Sequence, residues 1–566
     1  MKPVKAQTEI LARINRMRAI RGEPAAKLEA NGETCVRVTF EGSEKWVIDV
    51  ECPDYLSLKL PIVCLVEPPH KLLAHVAHYG TVCINDEQGI SIDRSQREMV
   101  IAQVAMDAIA LLESSAQDAK NGYAEFFNEY EGYWSALPGA KHGWSDIEVN
   151  KSPRLLCGFY KQKNGHEPSW FIVETNAKSY PPEFNTYGLQ DILGIYVAPS
   201  KIVLPPNRAQ FLSLEYLEEV ISRFDAGEMA SWEKLLRSRS SKNGRVCFMA
   251  LSYERQAGGR SLIGVTFHIK NGKLNRDVKP LPISIERHSA DYMRERGGAH
   301  LVNTSKSIAV LGCGSVGSEI ADALAASGVG KIILVDLDVL GVENVFRHLL
   351  GRDQLGQAKV FAVKRELERK YPGIKVQANF ESAQKWLHTE ECLHVDGIII
   401  AIGMPTTERH LFHAMREIRI QKPIVNVWLE PLDLGGHAVA LNAAEEHCLD
   451  CLYRNDEDQH SLYPRISFLA QGQKVSKNLT GCASIFTPYG AIQSRRTALL
   501  AAELMIDILS GEATPQYRFS RGEGKQAELQ GLKTTNWFKS ARTADAHEIS
   551  RHLFATACET CRKKNE

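Results

Sequence analysis

The sequence predicts an α/β multidomain protein: an N-terminal α+β domain, an α+β linker domain, and a C-terminal Rossmann-like, doubly wound domain. Three observations carry this. The chain has 566 residues, more than a single core organises, so three or four domains are expected. Near its start, a helix-like run precedes three strand-like runs and a second, longer helix-like run. From about residue 300, a buried strand, a glycine turn, a helix and another buried strand follow in order, as in a βαβ unit.

Composition narrows the function classes. Lys plus Arg and Asp plus Glu both number 68, so no net field favours nucleic acid or membrane. Met1 opens on the polar run KPVKAQTE, which is unlike a signal peptide. Apolar stretches such as 397–403 are too short to span a bilayer. A soluble cytoplasmic protein is expected, with no membrane and no direct nucleic-acid partner. Thirteen cysteines, an odd count, read as core residues, metal ligands or nucleophiles rather than a disulfide frame.

Taken in order, residues 5–20 predict an amphipathic helix. Alternation predicts strands over 35–40, 45–50 and 58–66. A loop marked by Pro68 and Pro69 leads into HYGTVCI, and 99–112 predicts a long helix. This unit spans about 1–140. Residues 150–295 carry strand-like runs at 169–174, 194–197 and 246–251 and a helix-like run at 214–224. The run SRSSKNG marks a loop there. No catalytic motif appears in this segment, which reads as a linker or recognition domain. The third domain covers 300–566, with strands at 307–311 and 332–335 and a helix at 316–327.

The first turn of that domain reads Gly312-Cys313-Gly314-Ser315-Val316-Gly317. Its glycines allow close backbone approach to phosphate, and the helix N-terminus adds free N–H groups. Asp336 ends the second strand, where an acid binds ribose hydroxyls. These features alone also describe an NAD-dependent oxidoreductase. The following residues, Asp338, Asn344, Arg347 and Lys359, add charge that hydride transfer does not need. Two cations suit attack of a carboxylate on an α-phosphate, because charge builds there.

This ordered set resembles the adenylation domains of ubiquitin-activating enzymes and their bacterial ThiF/MoeB sulfur-carrier relatives. The resemblance implies that Gly312, Gly314, Gly317, Asp336, Asp338, Asn344, Arg347 and Lys359 surround ATP with Mg2+, and that the domain forms a homodimer. The family aspartate that holds magnesium after the fourth strand is missing: here 397–403 leads into Met404-Pro405-Thr406. Asp396 precedes that strand, and Asp338 is the other acid to consider.

Cys448-x-x-Cys451 and Cys558-x-x-Cys561 can supply four thiolates to a structural Zn2+. They can also be two unrelated pairs, one of them redox-active. The wide gap resembles activating-enzyme relatives in which zinc ties the chain terminus to the adenylation domain. Cys482, after a polar stretch at 455–480 and before a helix predicted from 491, matches the family's thioester-forming cysteine. A buried structural cysteine is the alternative.

Cys83, after the three strands and before a helix, resembles the acceptor cysteine of ubiquitin-conjugating enzymes. The His-Pro-Asn triplet of that family is absent, and His78-Tyr79-Gly80 stands nearby. The candidates to replace its asparagine are His75, His78 and Asn85. Cys52 and Cys64 read as packing residues.

The order, conjugating-like then linker then activating-like, resembles the bacterial fusion enzymes of CBASS anti-phage operons. That resemblance implies four steps: adenylation of a protein C-terminal carboxylate, a thioester on Cys482, a thioester on Cys83, and an amide with a target amine. It implies a cGAS/DncV-like nucleotidyltransferase as the activated protein and amine-bearing proteins as acceptors. The competing readings are a bacterial ubiquitin-like pathway, a sulfur-carrier adenylyltransferase, an oxidoreductase and a non-catalytic adaptor.

Overall fold

A computed structural model describes residues 3–31, 35–42, 44–51, 59–67, 71–85, 88–161, 169–174, 190–207, 210–237, 244–455, 459–478 and 485–562. The chain divides into two compact units, Met1–Ser289 and Ala290–Glu566.

The first unit opens with α1 (Pro3–Ile20) and an antiparallel sheet of β1 (Lys27–Ala30), β2 (Cys35–Glu41), β3 (Lys45–Glu51), β4 (Ile62–Leu65) and β5 (Thr81–Val82). The sequence predicts three of these strands. β1 and β5, of four and two residues, carry no alternation long enough to mark them, and the third predicted run, 58–66, shortens to β4 at 62–65, with residue 58 outside the described residues. In β2 and β3 every second residue is buried, so Val36, Val38, Phe40, Trp46, Ile48 and Val50 line one face. α2 (Arg97–Lys120) covers that face with Ile101, Ala105, Ala108, Ile109 and Leu112. By length and composition α2 could also cross a membrane, but just over half of its apolar window is buried in this core.

Next come α3 (Ala124–Asn128) and α4 (Tyr130–Ser135), then the strands of residues 141–287. These are β6 (Lys141–Ser145), β7 (Arg154–Lys161), β8 (Ser169–Glu174), β9 (Gln190–Val197), β10 (Arg245–Glu254), β11 (Arg260–Lys270), β12 (Lys273–Leu274) and β13 (Leu281–Arg287), with α5 (Leu214–Ser222) and α6 (Ala226–Arg237) between β9 and β10. Their order is β10-β9-β7-β8-β6-β13-β11-β12, and a further β10–β11 pairing closes the sheet on itself. Such closure removes the sheet edges that would otherwise invite unwanted pairing. Local sequence cannot show it, because pairing partners lie up to 142 residues apart, as for Lys141 and Ile283.

The second unit contains a seven-stranded sheet ordered β16-β15-β14-β17-β18-β19-β22. The strands are β14 (Ser307–Leu311), β15 (Lys331–Val335), β16 (Lys375–Asn379), β17 (Gly397–Ile400), β18 (Pro423–Glu430), β19 (Gly435–Asn442) and β22 (Gln516–Arg521); β20 (Lys477–Asn478) and β21 (Ile485–Phe486) form a separate pair. The first five strands are parallel and the last two antiparallel. Its helices are α7 (Ala290–Arg296), α8 (Gly317–Ala326), α9 (Lys359–Lys370), α10 (Ala383–Trp386), α11 (Pro405–Glu417), α12 (Ala491–Leu509), α13 (Lys525–Leu529), α14 (Asn536–Ser540), α15 (Ala546–Leu553) and α16 (Glu559–Arg562). β14 and β17 are almost fully buried, which explains their continuous apolar runs. The chain order reverses between β14 and β17, a topological switch point where doubly wound sheets open a crevice at their carboxyl ends.

Candidate active site

β14 delivers the chain to that crevice, and the glycine turn forms there. Gly312 has φ 93°, and a Cβ on it would lie 2.7 Å from the Ala401 carbonyl oxygen. A Cβ on Gly317 would lie 1.8 Å from the Gly312 oxygen, so neither position accepts a side chain. Gly314 differs, because a Cβ there would meet nothing within 4 Å among the described residues. The turn therefore closes on itself through two glycines and leaves the third facing open space, the side where a phosphate can approach α8.

Asp336, after β15, accepts from Cys313 N–H at 2.6 Å and from Asp338 N–H at 2.7 Å. One oxygen clamps the glycine turn and the other holds the loop that follows β15. Lys359, the first residue of α9, is 8% exposed and pairs with the 61% exposed Asp338 at 3.0 Å. Asn344 caps its own turn by accepting from Gly341 N–H at 3.1 Å. That turn carries Arg347, whose guanidinium lies 4.4 Å from the centre of the Tyr489 ring and whose Nε is buried with no hydrogen-bond partner among the described residues. Neither cation is a freely solvated surface charge.

Sequence reasoning overlooked three neighbours. Tyr489, two residues before α12, bonds Ser315 Oγ at 2.8 Å and supports Arg347, so it links the glycine turn to that side chain. His348 is buried, donates from Nε2 to the Cys313 oxygen at 2.7 Å and accepts at Nδ1 from Leu350 N–H at 3.0 Å. Burial pushes its pKa down, which favours this neutral form. Glu408, in the first turn of α11, is 4% exposed and accepts from Gly403 N–H at 2.8 Å. Burial raises its pKa to about 7 against those hydrogen bonds. The histidine and tyrosine had no motif to mark them, and Glu408 lies eight residues beyond the end of β17, inside α11 rather than directly after the strand.

For magnesium, the donors are few. Asp336 is engaged with backbone, Glu408 holds the turn after β17, and Asp396 bonds Ser307 N–H at 2.8 Å at the start of β14, away from the crevice. Asp338 is the acid that remains. An open groove of about 730 Å³ along α9 and β16, lined by Lys331, Phe361 and Lys375 among others, includes none of these residues.

Cys448, Cys451, Cys558 and Cys561 are all buried with their sulfurs within 4.8 Å of one another. Four of the separations are 3.3, 3.5, 3.6 and 4.0 Å. A tetrahedron with Zn–S of 2.3 Å has edges of about 3.8 Å, so the donor set fits zinc. Arg416, buried on α11, donates to Cys561 Sγ at 3.4 Å and so offsets thiolate charge. Cys482 and the residues around it, 479–484, lie outside the described residues, as do Cys52, Pro68–Pro69 and 238–243 of the SRSSKNG run.

In the first unit, Cys83 is exposed directly after β5, and its N–H donates to the His75 oxygen at 2.8 Å. Cys64 is half-buried in β4 with Sγ 3.8 Å from Thr81 Oγ1, in keeping with packing.

Residues 16–141 match the family model "Prokaryotic E2 family B" and residues 287–547 match "ThiF family". The chain is a fusion of a prokaryotic E2 family B domain with a ThiF family domain. This fusion is similar along most of its length to two proteins named ATP-dependent ubiquitin transferase-like protein Cap2. The one from Pseudomonas aeruginosa is 26% identical over 526 residues, 83% of this chain and 87% of that protein. The one from Escherichia coli is 26% identical over 543 residues, 86% and 89%. A crystal structure of E. coli MccB with ATP aligns over 41% of the fusion and 63% of that chain at 18% identity and a TM-score of 0.30, too weak a likeness to build on. The two domain types are those of ubiquitin-activating-like and ubiquitin-conjugating-like enzymes, so the fusion is an enzyme that adenylates and conjugates.

Proposed function

We propose that the fusion activates the C-terminal carboxylate of a protein with ATP and passes the acyl group through Cys482 and Cys83 to a target amine. The observation that carries this reading is the placement of Lys359 and Arg347: one buried and one half-buried beside a glycine turn whose Gly314 faces open space.

Gly314 and the N-terminus of α8 receive the phosphates, and Arg347 and Lys359 offset the charge that grows as the carboxylate attacks the α-phosphorus and pyrophosphate leaves. Asp336 keeps the turn shaped while offering its outer face to ribose. Magnesium, where Asp338 holds it, supplies further charge neutralisation on the phosphates. Cys482 thiolate then displaces AMP, Cys83 thiolate takes the acyl group by exchange, and an amine forms the amide. Zinc, held by the four cysteines, fixes the chain end to the domain; with four thiolate ligands it leaves no open position for chemistry.

The protein activated is a cGAS/DncV-like nucleotidyltransferase and the setting is CBASS defence, in the cytoplasm; similarity to the two Cap2 proteins along most of the chain supports the CBASS setting. The fusion works as a homodimer, a reading supported by Val342 and Phe346, 76% and 96% exposed beside Arg347.

The deciding experiment is ATP–pyrophosphate exchange with the purified nucleotidyltransferase of the same operon. Exchange that needs its intact C-terminal carboxylate supports the reading. Adducts are then mapped by mass spectrometry in Cys482→Ala and Cys83→Ala. Exchange indifferent to that C-terminus ends the substrate assignment, and conjugation undisturbed in Cys83→Ala ends the conjugating one.

A further inference from the structure

We propose that His75, oriented by Glu125, is the base that takes the proton from an amine attacking an acyl group carried on Cys83. This rests on the conjugating role given above to Cys83 and adds the group that completes its last step.

Three features of the first unit meet here. Val76 and Val82 form an isolated antiparallel bridge, and Cys83 N–H donates to the His75 oxygen at 2.8 Å. Residues 75 and 83 are therefore cross-strand partners at the end of a short ladder, which brings their backbones within a few ångströms. Second, His75 has φ 59°, in the left-handed region. A side chain there costs on the order of 1 kcal/mol that glycine would not incur. Such strain persists where the surroundings enforce it, and it commonly marks a working residue.

Third, the imidazole faces acids. Nε2 lies 3.3 Å from Glu125 Oε1, and Nδ1 lies 4.0 Å from Glu129 Oε1, beyond hydrogen-bond range. Glu125 pairs with the ring at Nε2, which leaves Nδ1, the nitrogen farther from an acid, as the one assigned here to take a substrate proton, the division of labour of a carboxylate–histidine pair. Glu125 is itself held. Its N–H and that of Phe126 donate to Asp118 at 2.9 and 3.1 Å, and Phe126 packs edge-on against Tyr130 and Tyr133. The His75 side chain is 22% exposed and Cys83 is exposed, so a lysine on a folded protein can reach both. The other nearby imidazole, His78, is buried against Tyr133 at a ring distance of 6.2 Å.

The chemistry gains from such a group. The attacking amine forms a C–N bond to the thioester carbonyl and becomes positively charged. Its proton passes to Nδ1 of His75, and the C–S bond then breaks with the electron pair leaving on Cys83 Sγ. Histidine is the side chain whose ordinary pKa suits this transfer near neutrality.

The test uses the full chain and a fluorescent Gly-Gly peptide supplied as its mercaptoethanesulfonate thioester. The label exchanges onto protein thiols, excess reagent is removed, and discharge to free L-lysine is followed and normalised to the labelled fraction. Labelling equal in the native chain and in Cys83→Ala would remove the carrier role of Cys83, and this proposal with it. With labelling that depends on Cys83, His75→Gln should discharge at least about tenfold more slowly, and Glu125→Gln should fall between. His75→Gly suits the left-handed backbone, so its melting temperature should not fall, and added imidazole should restore its discharge. Discharge by His75→Gln at the native rate, or no rescue of His75→Gly by imidazole, overturns the role of His75 and leaves that of Cys83 standing.

Discussion

Lys359 is the side chain on which the adenylation reading leans hardest at the residue scale. A buried ammonium needs a partner, and Asp338 at 3.0 Å supplies it until phosphate arrives. Lys359→Ala and Arg347→Ala should each lower the ATP–pyrophosphate exchange rate about 100-fold or more, the usual loss for an electrostatic group acting on developing charge. Tyr489→Phe keeps the ring under Arg347 and loses only the bond to Ser315, so its exchange rate should fall less than that of Arg347→Ala. Glu408 gives a second residue-scale prediction. Its folded pKa, about 7, lies above the ordinary glutamate value of 4.5 that the unfolded chain would show. Between those values the folded state holds the proton and the unfolded state does not. Stability from this group is therefore full below the unfolded pKa and declines as pH rises toward 7. The loss is of order 3 kcal/mol at most. Glu408→Gln should flatten the melting temperature of the second unit between pH 5 and 7, measured by calorimetry.

Among elements, the glycine turn separates folding from binding. Gly317 packs its α-carbon on the Gly312 carbonyl, whereas Gly314 faces open space. Gly317→Ala should lower the melting temperature and nucleotide affinity together, because the backbone must move. Gly314→Ala should melt like the native chain and still lose ATP affinity, read by calorimetric titration. If both variants melt alike and bind alike, the phosphate has been placed on the wrong side of the turn. α11 joins two regions: Glu408 holds the turn after β17, while Arg409 and His413 bond Asp450, which lies between two of the cysteines.

Across the whole molecule, the four-cysteine cluster joins segments 110 residues apart in sequence. Closing so long a loop by a metal favours the folded state through the unfolded chain, and the thiolates would repel one another without the ion. Native mass spectrometry should find one zinc per chain. Cys561→Ser or chelation at elevated temperature should destabilise the second unit by several degrees and leave the melting of residues 1–289 unchanged. Phe346→Asp should shift the protein toward monomer in sedimentation, since it places charge on an apolar surface that the proposed dimer covers.

Much of this was legible in the linear order of residues. Periodicity of two marks β2 and β3, continuous apolar runs mark β14 and β17, and glycine spacing marks the turn between β14 and α8, because each signal is local and set by backbone geometry. Cys448, Cys451, Cys558 and Cys561 declare themselves through ligand spacing within each pair, but their meeting depends on the fold. Closure of the middle sheet through the β6–β13 pairing, the clamp of Asp336 on Cys313, the support of Arg347 by Tyr489 and the ladder that sets His75 opposite Cys83 were decided only in three dimensions. The physical reason is the same in each case: these contacts join residues distant in the chain or without a periodic signature, and only packing of the core brings them within range.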